Sequence, residues 1–219
     1  MSELLQQISV WALPMLVAII LHEVAHGWVA YRLGDPTAKR MGRLTLNPLP
    51  HIDPMGSVVL PLLLMAVQSP FMFGWARPVP VNFANLRRPK QDMVKVALAG
   101  PLTNIALAVV SAVILHSLVD LRLPSHRLAV AFSESTLTPM ALMARNGVIV
   151  NVVLAVFNMI PILPLDGGRV LAGLLPRAQA IAFARLEPYG MFIVLALMMT
   201  NTLDRFLGPV LRFFIAALL

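Results

Sequence analysis

The chain has no cysteine. That excludes disulfides, thiolate zinc sites and cysteine nucleophiles, and leaves His, Asp and Glu as the plausible metal ligands. Charge is also scarce: charged residues make up 12% of the 219, against 58% hydrophobic residues and a mean hydropathy of +0.81. Segments of that composition have no stable place in water and belong in lipid. The first residues, MSELLQQISVWALPMLVAII, carry no basic stretch and lead into no small-residue cleavage site, so they read as a retained helix and not a signal peptide. There is no internal repeat, no low-complexity tract and no room for a separate soluble domain. The net charge of +7 does not point to nucleic acid. The 17 Lys and Arg residues lie in short connections between apolar segments, where membrane-topology signals are expected.

What is present predicts an all-α membrane protein, a polytopic helical bundle of about five or six membrane segments, with residues 1–219 forming one membrane-embedded domain. Residues 1–33 form a first helix; from Leu4 to Leu33 it would be about 45 Å long, more than a hydrocarbon core of about 30 Å. Residues 34–54 carry Lys39, Arg40 and Arg43 beside prolines, and RLTLNP has strand-like character, so a small interfacial β element is expected there. Residues 55–73 are apolar but short and interrupted by Gly56, Pro61, Gln68, Ser69 and Pro70, which suits a re-entrant or short membrane segment. Re-entry would keep its two basic flanks, one containing Arg77, Arg87, Arg88, Lys90 and Lys95, on the cytoplasmic side. Residues 94–119 form the next membrane helix, and the small residues of ALAGPLTNIALA permit close packing. Residues 140–175 hold another helix and the breaker-rich run NMIPILPLDGGR. Residues 187–219 supply C-terminal membrane helices, the last either spanning or interfacial.

The chemistry concentrates in His22-Glu23-Val24-Ala25-His26. On a helix the i and i+4 histidines share one face, where two imidazoles can bind one Zn²⁺, and Glu23 beside them would be the general base. A plainer reading makes the three a polar helix interface. Three ionisable groups on one turn of an intramembrane helix are costly, however, and such groups are usually functional. His22 lies about 11 residues before Leu33, roughly 16 Å along a helix, which puts the catalytic plane inside the membrane near its cytoplasmic face. A catalytic zinc commonly takes three protein ligands. The best third candidate is Asp166 in LDGG, a carboxylate flanked by apolar sequence and expected on the same side as HEVAH; an ordinary helix cap or turn is its alternative role.

With those residues in view, the chain resembles the site-2 protease family of intramembrane zinc metalloproteases. HEVAHGW resembles its HExxH helix and NMIPILPLDGGR its second signature. GRLTLNPLPHIDPMG, FGWARPVPVNFANLRRP and ALAGPLTN look like the compact bacterial branch. The resemblance covers most of residues 15 to 175. It implies that His22, His26 and Asp166 bind one Zn²⁺ per chain, that Glu23 is the base, and that three core helices are joined by a membrane-associated β element after the HExxH helix. It further implies a membrane-protein or peptide substrate, the lipid bilayer as environment, and a bacterial inner or plasma membrane with the active site toward the cytoplasm. No insertion large enough for a PDZ domain lies between the motifs.

Other residues carry weaker expectations. Asn158 is a substrate or oxyanion contact by family pattern, or a capping residue; Asn104 has the same ambiguity. His51 and Asp53 in PHIDP read as a second metal site or a hydrogen-bonded loop pair. His116 and His126 fall near the opposite face, and the 13 methionines suit packing better than a copper path. The strand-like stretch between Gly42 and Pro54 is expected to pair with an unwound substrate. The rival functions are a metal transporter, which would depend little on Glu23, and a noncatalytic scaffold. Substrate identity and oligomeric state stay open.

Overall fold

A computed structural model describes residues 3–67, 74–121 and 134–219. Three long helices dominate: α1 (Glu3–Arg32), α4 (Pro89–Leu121) and α5 (Glu134–Asn158). Within them Ser9–Arg32, Pro89–Val119 and Leu137–Asn158 are long and apolar enough to cross a bilayer. Their outward faces carry exposed Leu13, Leu16, Val17, Leu102, Ile105, Val109, Val113 and Val153. So continuous an apolar exterior is stable in lipid and not in water, so the protein is integral to a membrane.

The three helices pack against one another. Small buried residues, among them Ala18, Ala97, Ala99, Ala108, Ala112 and Ala144, let their backbones approach closely. Val148 and Val152 of α5 interlock with Ala108 and Ala112 of α4, and Leu211, Ile215 and Leu218 cover this cluster from the last helix, α9 (Thr202–Leu218).

Shorter elements complete the chain: α2 (Thr37–Arg40), α3 (Leu60–Ala66) after a π-helical turn at Pro54–Val59, α6 (Asp166–Leu174), α7 (Arg177–Ala184) and α8 (Glu187–Met199). The axes of α7 and α8 differ by 66°, so together they form at most one broken span. The described residues therefore contain three helices long and apolar enough to span, or four spans with that pair, and do not bear out five or six. Apolar composition counted residues that the chain spends on helices too short to cross. The 17 residues of α9 reach about 26 Å and include Pro209, Asp204, Arg205 and Arg212. In 55–73 the helical stretch ends at Ala66, and residues 68–73 lie outside those described.

The expected β element is also absent: there is no strand among the described residues. Residues 34–54 hold α2 and one 3₁₀ turn at Leu49–His51. Thr45 Oγ1 accepts the Asn47 N–H at 3.1 Å, and Asn47 Oδ1 accepts the Leu49 N–H at 3.1 Å. Side chains that satisfy the local backbone in this way compete with a ladder, and Pro48 and Pro50 remove donors from it. A substrate strand has no strand at 42–54 to extend.

Two features aim the site. Residues 74–82 form an extended strap before α4, and the Arg87 N–H donates to the Leu33 carbonyl at 3.1 Å, joining the end of α1 to the start of α4. After α5 the chain turns back through residues 159–165 into α6. A Cβ on Gly167 would stand 2.2 Å from the Met159 carbonyl oxygen, and one on Gly168 2.4 Å from the Leu163 nitrogen. Only glycine permits so tight a return, and it places Asp166, the first residue of α6, against α1.

Candidate metal centre

His22 and His26 stand one turn apart on α1 with their Nε2 atoms 2.9 Å apart. Asp166 reaches both: Oδ2 lies 3.2 Å from His22 Nε2, and Oδ1 lies 3.3 Å from His26 Nε2. One ligand atom from each of the three lies within 4.8 Å of the others, the only such group of His, Asp or Glu among the described residues.

The far side of each imidazole is tied down. His22 Nδ1 donates to Asn104 Oδ1 at 2.5 Å, and His26 Nδ1 donates to the Val96 carbonyl at 2.7 Å. With acceptors at both Nδ1 positions, the neutral rings carry their protons there and turn both Nε2 lone pairs toward Asp166. Two lone pairs at that separation repel unless a cation lies between them. Asp166 Oδ2 is buried without a hydrogen-bond partner. Two nitrogens and a carboxylate oxygen, all lacking a proton to share, suit a zinc ion that keeps a further position for water.

Packing opens the space for it. A Cβ on Gly100 of α4 would lie 2.4 Å from His26 Nε2 and 2.5 Å from His22 Nε2. Gly100 is thus the point where α4 passes the histidines with no side chain between.

Glu23 lines the same cavity, of about 630 Å³, as His22, His26, Asp166, Asn158 and the strap residues Trp75, Ala76 and Pro78 to Val81. Its Oε2 accepts the Val79 N–H at 2.7 Å. Asn158 donates from Nδ2 to the Leu154 carbonyl of its own helix at 3.0 Å, half-buried at the cavity wall. Asn104 lies elsewhere. It is fully buried behind His22, and its Nδ2 donates to Asn151 Oδ1 at 2.8 Å and to the Ala18 carbonyl at 3.3 Å. That geometry supports the imidazole and offers nothing to an oxyanion in the cavity. Asn151 passes the chain on to the Gly147 carbonyl at 2.8 Å. An amide in an apolar helix, at Asn104 and again at Asn151, is the sequence signal for this network.

Replacing Asn104 by leucine leaves the His22 Nδ1 proton without an acceptor. Zinc affinity is expected to fall roughly 10- to 100-fold, as titration against a competing chelator would show.

His51 and Asp53 do not form a site. His51 Nε2 pairs with the Thr45 carbonyl at 3.0 Å, while Asp53 caps the π-helical turn by accepting the Gly56 N–H at 2.7 Å. His116 bonds the Ala112 carbonyl of its own helix. His126 lies outside the described residues.

Lipid-embedded helices that bring two imidazoles and a carboxylate to one point, with a further acid in the same cavity, define the class of membrane-embedded metalloenzymes. The chain belongs to peptidase family M50, the site-2 proteases, and is a zinc metalloprotease. The family description, Peptidase family M50, matches residues 121–201. YwhC of Bacillus subtilis is 37% identical over 200 residues, covering 91% of this chain and 84% of the relative. Rip2 of Mycolicibacterium smegmatis is 32% identical over 200 residues, covering 91% and 70%. Rip2 of Mycobacterium tuberculosis H37Rv is 31% identical over 189 residues, covering 86% and 66%. Each of these relatives bears the name "Putative zinc metalloprotease". No solved structure matches the chain.

Proposed function

We propose that this protein hydrolyses peptide bonds in or beside transmembrane segments of membrane-protein substrates. In this reading His22, His26 and Asp166 hold one zinc, and Glu23 is the general base. The observation that carries it is the convergence of the three ligand side chains from α1 and α6 within 4.8 Å. Zinc, when bound, acidifies a water and polarises a carbonyl. Glu23 takes the proton as the water oxygen bonds to the peptide carbon, then hands it to the departing nitrogen as the C–N bond breaks. The Val79 N–H holds one of its oxygens, leaving the other for the proton. Asn158, at the wall of the same cavity, would hold the backbone of the bound segment.

The whole chain acts as one membrane-embedded unit in a bacterial inner membrane, with the site toward the cytoplasm. Support comes from the basic residues Arg32, Lys39, Arg40, Arg87, Arg88 and Lys90, gathered where the end of α1 meets the start of α4.

The test compares membrane proteomes of cells carrying wild type and Glu23→Gln. A membrane protein whose short fragment disappears in the variant is the expected result, with purified Glu23→Gln still holding about one zinc per chain. Zinc flux into proteoliposomes carrying Glu23→Gln, at the wild-type rate, would make the protein a transporter instead.

A further inference from the structure

The strap over the site is attached at points that flank one donor. Arg77 and Val79 each precede a proline, which keeps them extended, and Pro78 and Pro80 carry no N–H. Val79 therefore supplies the one backbone donor between the prolines, and that donor goes to Glu23 Oε2. On one side, Arg43 Nη2 donates to the Arg77 carbonyl at 2.7 Å and reaches the Pro78 carbonyl at 3.4 Å. The Arg77 N–H also donates to the His51 carbonyl at 2.9 Å. On the other side, Asp35 Oδ2 accepts the Asn82 N–H at 2.7 Å.

Both anchoring residues are charged groups buried in the fold. Arg43 is 6% exposed, makes no ion pair among the described residues, and leaves its Nε without a partner. Burial, and after it the like charge of Arg77, hold its pKa below the usual value against the opposing pull of the Glu23 carboxylate. Asp35 is fully buried, which by itself would raise its pKa. Hydrogen bonds from Thr37, Asn85 and Asn82 outweigh that and hold the carboxyl below its usual range. Beneath the strap, a Cβ on Gly27 would lie 2.7 Å from Val79 Cγ1 and 2.6 Å from Leu44 Cδ2. The strap and the residue after Arg43 thus rest directly on α1, one position beyond His26.

We infer that Arg43 and Asp35 are positioning residues for the catalytic base: they clamp the strap on either side of Val79, whose N–H fixes one oxygen of Glu23 and leaves the other to take the proton. They can act in this way only if Glu23 is the base, as proposed above. A base held by one oxygen keeps a single orientation through turnover, and misplacing a reacting group by about 1 Å can cost roughly 100-fold in rate.

Two measurements on the full chain in detergent micelles test the clamp. Hydrogen exchange of the 74–82 segment needs no substrate. Arg43→Gln and Asp35→Asn should each speed it about tenfold or more while zinc stays near one per chain. Turnover of a fluorogenic peptide bearing a Leu- and Ala-rich membrane segment should fall about 100-fold in kcat, with KM changed less than about threefold. Arg43→Lys, which keeps the charge and a donor, should recover part of the loss. In a Glu23→Asp background Arg43→Gln should cost far less than in wild type, because the base it positions is already displaced. Should the peptide not be cleaved, the exchange result decides. Unchanged exchange, equal losses in both backgrounds, or loss of zinc from Arg43→Gln and Arg43→Lys alike would overturn the clamp and leave Glu23 as base. Full turnover by Glu23→Gln would remove the base, and the clamp with it.

Discussion

Gly100→Ala is expected to strip the protein of zinc and activity together while leaving its helices intact. The added methyl would sit 2.4 Å from His26 Nε2 and 2.5 Å from both Cε1 and Nε2 of His22, well inside van der Waals contact. It would occupy the side of the rings that carries the lone pairs. Neither partner has an easy retreat. Backing α4 away stretches the bonds from His26 to Val96 and from His22 to Asn104, both on that same helix. Rotating the rings breaks the same two bonds, at about 1–3 kcal/mol for each buried group left unpaired, and forces off-rotamer side chains at about 1 kcal/mol apiece. Alanine is a better helix former than glycine by about 1 kcal/mol, so circular dichroism should show no loss of helix. Metal analysis should show zinc falling from about one per chain toward none. Stoichiometric zinc in the purified variant would mean that α4 does not pass within contact of the histidines.

Gly100 also shows where sequence reasoning reaches its limit. HEVAH was legible because the ligand face is set locally: four residues return an α-helix to nearly the same side whatever surrounds it. Asp166 was legible because a carboxylate in an apolar run needs a partner. The run ALAGPLTN announced close packing, but its meaning depends on which helix it meets. That Gly100 faces two histidines and Asn104 holds one of them follows from the crossing of α4 over α1, which no local pattern encodes. Without that information Asn104 admits either an oxyanion contact or an interhelical hydrogen bond. In sequence Arg43 is one more basic residue of an interfacial loop and Asp35 carries no signal at all, because the acceptor of one and the donor to the other lie 34 and 47 residues away, on the strap. The two fold expectations that the described residues do not bear out are the β element and the count of five or six segments. The alternation in RLTLNP resembles a strand, yet Thr45 and Asn47 bond their own backbone; the apolar total resembles six spans, yet prolines and bends divide it.

Asp166→Asn should separate binding zinc from using it. The substitution keeps size and shape, and the N-cap position of α6 belongs to Leu165, so α6 should keep its place. The electrostatics change completely. Asp166 supplies the one negative charge among the three residues proposed to hold zinc, and its side chain is only 12% exposed, so little water is available to replace it. The amide –NH₂ can also donate to an imidazole Nε2, closing the cluster with a proton in the space the cation would take. Zinc affinity should therefore fall by more than the roughly 10- to 100-fold expected when only a supporting hydrogen bond such as that of Asn104 is lost. Activity should fall with it and return only in part at high zinc. Glu23→Gln should show the reverse pattern, with full zinc and no turnover, because its carboxylate bonds Val79 and none of the ligands. Measuring both variants side by side assigns the two roles. An Asp166→Asn protein that held zinc as tightly as wild type would move the third ligand elsewhere, and would leave the buried, unpaired Oδ2 without a purpose.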